Sequence, residues 1–185
     1  MVAEALVCAS TELESDATVI DNVDHDYLLF ARSKQLLARG LARDVVVPIM
    51  RRPAIDEPIE VTLGTVQLMC RIAGLQSCEI FETALEEPIS LNLARAVARE
   101  LEARSIRSVL LVTPGFRSQR ALEVYAATFG PAGVAVRCQP VFGAVDSTNW
   151  FETAHGVQNV SLQFLKLWYY RILVLPQARV ASARQ

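Results

Sequence analysis

The sequence predicts an open α/β fold: a Rossmann-like, mainly parallel five-stranded sheet with helices on both faces. Three observations predict it. Short apolar runs rich in Val, Ile and Leu alternate with segments of helical periodicity, the pattern of βαβ units. The clearest run, Ser108–Val112, is closed by the turn residues Thr113-Pro114-Gly115, as suits a strand buried on both faces of a parallel sheet. The chain of 185 residues is 52% hydrophobic, enough apolar material for one substantial core. These features fit a single domain over 1–185, with an aromatic-rich C-terminal helix near 155–172.

Taken in order, Ala3–Ala9 (AEALVCA) reads as the first strand, and the polar STELESD that follows reads as a solvated loop. No Gly stands between Met1 and Arg39, so a Gly-rich phosphate loop has no support there. Glu12, Glu14 and Asp16 in that loop are expected to repel an anion. Asp24 or Asp26 can cap a helix running to about Arg39, with Leu29, Ser33, Leu36 and Leu37 on one face and Gly40 as its stop. Asp44–Met50 reads as the second strand. Pro48 is expected at its end or at a bulge, since Pro has no N–H for a ladder.

Glu60–Ala73 has helical spacing and ends at Gly74. Cys78–Phe81 reads as a third strand. Ser90 is a natural N-cap for a helix whose buried stripe is Leu93, Ala94, Val97 and Leu101, with Glu100 and Arg104 paired at i, i+4 on its outer side. The strand at 108–113 leads to a helix from Phe116 to Phe129, and Gly133–Cys138 reads as the fifth strand. The segments near 3–9, 44–49, 78–82, 108–113 and 134–138 are therefore expected in one sheet. The final helix is dense in aromatic residues, which by default cover the sheet.

Composition narrows the function. The net charge is −2 and no block of like charge occurs, which argues against a nucleic-acid partner. The four cysteines form no C-x-x-C pair and only two histidines exist, so no metal site is expected. The cysteines read as free, buried, small hydrophobes. The N-terminus has no basic n-region and carries Glu4, unlike a signal peptide. The apolar tail FLKLWYYRILVLP is too short and too interrupted to span a bilayer. The expected location is the cytoplasm if the chain is complete, and the membrane or periplasm if an upstream anchor precedes it.

In parallel sheets, ligands gather at the carboxyl ends of the strands. Thr113, Arg117 and Arg120 fall there, with Ser90 and Asn92 in the first turn of the preceding helix. Arg32 or the Arg51–Arg52 loop is expected to join them. Two arginines beside a helix N-terminus are disfavoured by the helix dipole unless an anion or an internal carboxylate sits nearby. A sulfate, phosphate or small carboxylate is therefore expected to bind more readily than a dinucleotide. His155 has no visible metal or nucleophile partner by spacing, and no catalytic residue can be named.

Three stretches carry a resemblance. LLVTPGFRSQRA at Leu110–Ala121 resembles the LVTS-x-(F/Y)-H-x-x-RA pattern of the YdcF-like family, which includes SanA- and ElyC-type envelope proteins. Thr113, Phe116 and Arg120 match it. EEPISLNLARAV at Glu86–Val97 is similar to E-x-x-S-x-N-T-x-E-N-A through Glu87, Ser90 and Asn92. Arg32, Leu36, Leu37 and Gly40 resemble the family's R-x-x-x-A-x-x-L…G helix. The chain departs from the pattern where Arg117 stands at the His position, Leu93 at the Thr, Arg95 at the Glu and Ala96 at the Asn. STELESD and PIMRRP stand where the family has glycine-rich turns.

The resemblance implies a Rossmann-like sheet, a polar crevice and a link to envelope or exopolysaccharide production. It implies S-adenosylmethionine or a nucleotide as ligand, while the residues themselves call for no cofactor. Two functions follow. One is an accessory or binding protein whose crevice holds a small anion. The other is an enzyme acting on a phosphate-bearing or nucleotide-like small molecule, with arginines clamping the anion. The lack of a visible general base favours the first. The aromatic C-terminal helix could also meet a membrane or protein partner.

Overall fold

A computed structural model describes residues 2–21, 26–51 and 59–182. Five strands form one parallel sheet: β1 (Ala17–Ile20), β2 (Asp44–Arg51), β3 (Glu79–Ala84), β4 (Ser108–Pro114) and β5 (Ala135–Val141). Their spatial order is β3-β2-β1-β4-β5. The chain winds outward from β1 to one edge, then crosses back to β4 and winds to the other. The order reverses between β1 and β4, and that reversal opens a crevice at the carboxyl ends of these two strands.

Helices cover both faces because the central strands β1, β2 and β4 bury both rows of side chains. On one face, α1 (Tyr27–Ala38) and α2 (Ile59–Ile72) pack Leu29, Phe30, Leu36 and Val66 against Ile20, Val45, Val47 and Leu110. On the other, α3 (Ile89–Ala103) and α4 (Ser118–Phe129) pack Leu101, Val124, Tyr125 and Phe129 against Val19, Val46, Val109 and Leu111. Asp26 caps α1, its carboxylate accepting from the Leu28 N–H at 2.9 Å, and Gly40 ends the helix at φ 69°. A last helix, α5 (Ala154–Tyr169), runs through a widened π turn at Tyr170–Val174 into α6 (Leu175–Ser182). Pro176 accounts for the widening: it has no N–H for the carbonyl one turn back, and its ring crowds that carbonyl.

Four of the five expected strand segments lie in the sheet, and one expectation is corrected. The first strand is 17–20, not 3–9. Residues 4–6 form a single 3₁₀ turn, and Ala3 and Leu6 join Phe116, Val160 and Leu167 in a separate apolar cluster. An i, i+3 pair of buried residues served a turn, whereas ATVI escaped notice because it is only four residues long between two aspartates. STELESD therefore precedes β1. Glu12 is held by Arg39 at 2.7 Å, and its carboxyl lies below the usual range chiefly because of that guanidinium. Glu14 faces Arg43 at 3.9 Å. Arg43 precedes β2, so Glu14 sits toward the amino edge, while Glu12 is shared between Arg39 and Arg32, the latter at 3.5 Å.

Three smaller expectations also change. Pro48 lies inside β2, opposite Phe81 of β3. The β1–β2 register ends at Val19 and Val46, so no β1 ladder remains beside it to interrupt. Ser90 is not the cap of α3. Pro88 is the N-cap residue, and the Glu87 carboxylate accepts from the Ile89 N–H. The cysteines are not free: Cys8 bonds Cys138 and Cys70 bonds Cys78. The 3₁₀ turn brings Cys8 beside β5, and the short α2–β3 connection brings the second pair together.

Candidate functional site

The crevice is built first from β1 and β4. The Asp21 N–H donates to the Val112 carbonyl, which extends β1 by one residue along β4. The Asp21 carboxylate is thereby fixed at the strand end. It accepts from Thr113 Oγ1 at 3.0 Å and from the Arg117 guanidinium at 2.7 Å. Both members of the ion pair are buried, with side-chain exposures of 7% and 1%. Such a pair holds only because each charge has its partner and further hydrogen bonds. Tyr125 lies beneath, and its hydroxyl has no hydrogen-bond partner among the described residues. Full burial pushes that phenol well up from its ordinary value, and the Asp21 charge adds to the effect.

A second polar knot joins three helices. Arg120 of α4 donates to Ser90 Oγ of α3 at 2.7 Å and to Gln163 Oε1 of α5 at 3.2 Å. Its guanidinium lies over the Tyr170 ring, 5.2 Å from the centroid. The Tyr170 hydroxyl accepts from the Ser90 N–H at 3.1 Å. A buried arginine that touches three elements at once fixes their spacing as well as its own charge.

Next to both groups lies a cavity of about 350 Å³, lined by Pro114 at the end of β4, Gly115 and Arg117 after it, Phe142 and Gly143 after β5, Asp26 before α1, and His155, Asn159 and Gln163 of α5. The turn after β4 passes so close to Phe142 that a Cβ on Gly115 would stand 2.1 Å from its ring. Only glycine fits there with that ring in place. Thr153 caps α5, its hydroxyl accepting from the Gly156 N–H. His155, Asn159 and Gln163 recur every fourth residue and so share one face of α5.

The expected site residues divide. Thr113 and Arg117 meet through Asp21, and Ser90 meets Arg120. All four lie at the carboxyl edge, as does Asn92, but Asn92 is occupied locally by the Glu86 and Glu87 carbonyls. Phe116 packs edge-on against Phe142. Arg32 is directed to Gln139 at 2.9 Å, to Gln35 and to Glu12, away from the Asp21 cluster. Arg51 pairs with Glu82 at 2.9 Å, and Arg52 lies outside the described residues. The sequence reading missed Asp21, Asn159, Gln163 and Tyr170 and set His155 aside. The one available signal was the four-residue spacing of polar side chains in an otherwise apolar helix.

Comparison with protein-family models, with curated proteins and with solved structures found no match to this chain. Among the described residues no cluster of His, Cys, Asp and Glu could hold a metal ion.

Proposed function

We propose that this chain is a binding or accessory protein of the YdcF-like kind, serving cell-envelope or exopolysaccharide production and holding a small anionic or polar ligand. The observation that carries this reading is the cavity between the turn after β4 and the His155, Asn159 and Gln163 stripe. It lies where open parallel sheets bind ligands. Its volume is at the small end of the range for ligand pockets, about 300–1,000 Å³, and so favours a small molecule over a dinucleotide. The stretches behind the family resemblance also support it, since Ser90 of one bonds Arg120 of another.

Two disulfides favour an oxidising compartment, outside the cytoplasm. The alternative reading, an enzyme on a phosphate-bearing substrate, draws on the His155 imidazole at the cavity, which can accept a proton. It has less support because Arg117 and Arg120 already donate to Asp21, Ser90 and Gln163. Calorimetric titration with inorganic phosphate tests the binding reading. Measurable heat for the wild type, lost in the His155→Ala, Asn159→Ala protein, is expected. Equal heats for both proteins would remove the cavity as the site.

A further inference from the structure

The C-terminal helix carries its hydrophobic residues on two sides. The inner side buries Val160, Leu167, Tyr170 and Val174. Arg171 fastens that side to the body, donating to the Glu123 carboxylate at 2.9 Å while its guanidinium stacks 5.4 Å from the Trp168 ring centre. The outer side is apolar as well. Val157, Leu162, Leu165, Trp168, Tyr169, Ile172 and Leu173 are each exposed, between 41% and 66%. From Leu162 to Leu173, spacings of three and four place six of them in one stripe along the helix. A contiguous exposed stripe of this kind marks a surface that meets something apolar.

Charge and residue type indicate which partner. The whole chain has a formal charge of −2, yet after Glu152 it contains no Asp or Glu and four basic residues: Lys166, Arg171, Arg179 and Arg184. With Arg171 held by Glu123, Lys166 is, among the described residues, the exposed cation beside the stripe, and a lysine there complements an anionic surface. No described helix is long and apolar enough to cross a membrane. Trp and Tyr seat at the boundary between headgroups and acyl chains, and a long lysine covers apolar surface while its ammonium stays wet.

We infer that the outer face of this helix lies in the headgroup region of an anionic phospholipid membrane, with Leu165, Trp168 and Ile172 as its apolar contacts and Lys166 beside the phosphates. This surface is separate from the ligand cavity, and the inference does not rest on the function proposed for that cavity. Tyr170, on the inner side of the same helix, bonds Ser90, so the membrane-bound face and the crevice share one element.

Sedimentation of the full chain with vesicles tests the inference, using phosphatidylglycerol-rich vesicles against pure phosphatidylcholine. Preferential binding to the anionic vesicles is expected, with a blue shift of tryptophan emission and weakening by salt. Leu165→Glu, Ile172→Glu should lower partitioning at least about tenfold, since each exposed apolar contact is replaced by a charge. Circular dichroism and melting temperature should stay unchanged, because both side chains are already in water. Binding by the double variant equal to the wild type would overturn the inference. So would no binding by the wild type, or a wild-type dimer that the double variant dissolves, since a second copy would then cover the face.

Discussion

The short strand β1 is bracketed by two aspartates, and both reach β4. At the amino edge, Asp16 accepts from the Arg107 and Ser108 N–H groups and from Ser108 Oγ, at 2.8–2.9 Å. It is exposed to water, and its donors are neutral. At the carboxyl edge, Asp21 accepts from Thr113 and Arg117 in a dry setting. The same residue type at the two ends of one strand thus does two jobs. Asp16 ties two strand starts together and could lose its charge at modest cost. Asp21 cannot exist as a buried anion without Arg117, and the two together define the floor of the crevice.

Four substitutions can break or sharpen this contrast. The largest effect is expected from Asp21→Ala, which leaves the Arg117 charge buried beside a lost partner. It should cost about 3–5 kcal/mol in urea unfolding, with Asp21→Ala, Arg117→Met recovering most of the loss. A loss no greater than that of an Asp16 variant would erase the distinction between the edges. Next, Cys8→Ser, Cys138→Ser removes a link between residues 130 apart in sequence and should cost about 2–5 kcal/mol. Wild-type protein unfolded without reductant should then show no reactive thiol.

Asp16→Asn should cost less, about 1–2 kcal/mol, because a charge-assisted set of hydrogen bonds becomes neutral. This loss depends on pH. The Asp16 carboxyl is held below its ordinary value of 3.8, first by the Arg107 N–H and then by the Ser108 hydroxyl. A depressed folded value means that the contribution is fully present above the unfolded value and disappears as pH falls through the folded one. The stability gap between wild type and Asp16→Asn should therefore be constant at neutral pH and close below pH 3.8. A gap independent of pH would show that the carboxylate charge is not what matters. The smallest effect belongs to Tyr125→Phe. It removes a buried hydroxyl that has no described partner and should change stability by no more than about 1 kcal/mol, toward greater stability. A large loss would assign that hydroxyl a role in the Asp21 cluster.

The fold was largely legible because β2, β4 and the helical stripes at Leu93–Leu101 and Leu29–Leu36 announce themselves by period and by turn residues. β1 was not, because a four-residue strand with a threonine at its centre gives almost no alternation to read. That single slip moved the crevice: with β1 placed at 3–9, Asp21 fell in an unassigned stretch before the first helix and Glu12 in a loop expected to repel an anion. Arg120 and Ser90 were legible as edge residues, but their mutual bond was not, since spacing of 30 residues says nothing about contact. The stripe on α5 comes from a helix far along the chain, which only tertiary packing brings over β4. The disulfides were hidden for the same reason, since neither pair has a motif that fixes its geometry.

The central claim is that the carboxyl edge binds and the amino edge only holds. Amide chemical-shift mapping of the labelled protein during titration with phosphate tests it most directly. The account predicts saturable shifts at Gly115–Arg117, Phe142–Val145 and His155–Gln163, with Asp16, Arg107 and Ser108 unmoved. Shifts centred on Asp16 and Arg107, or none at the cavity at any phosphate concentration, would contradict it.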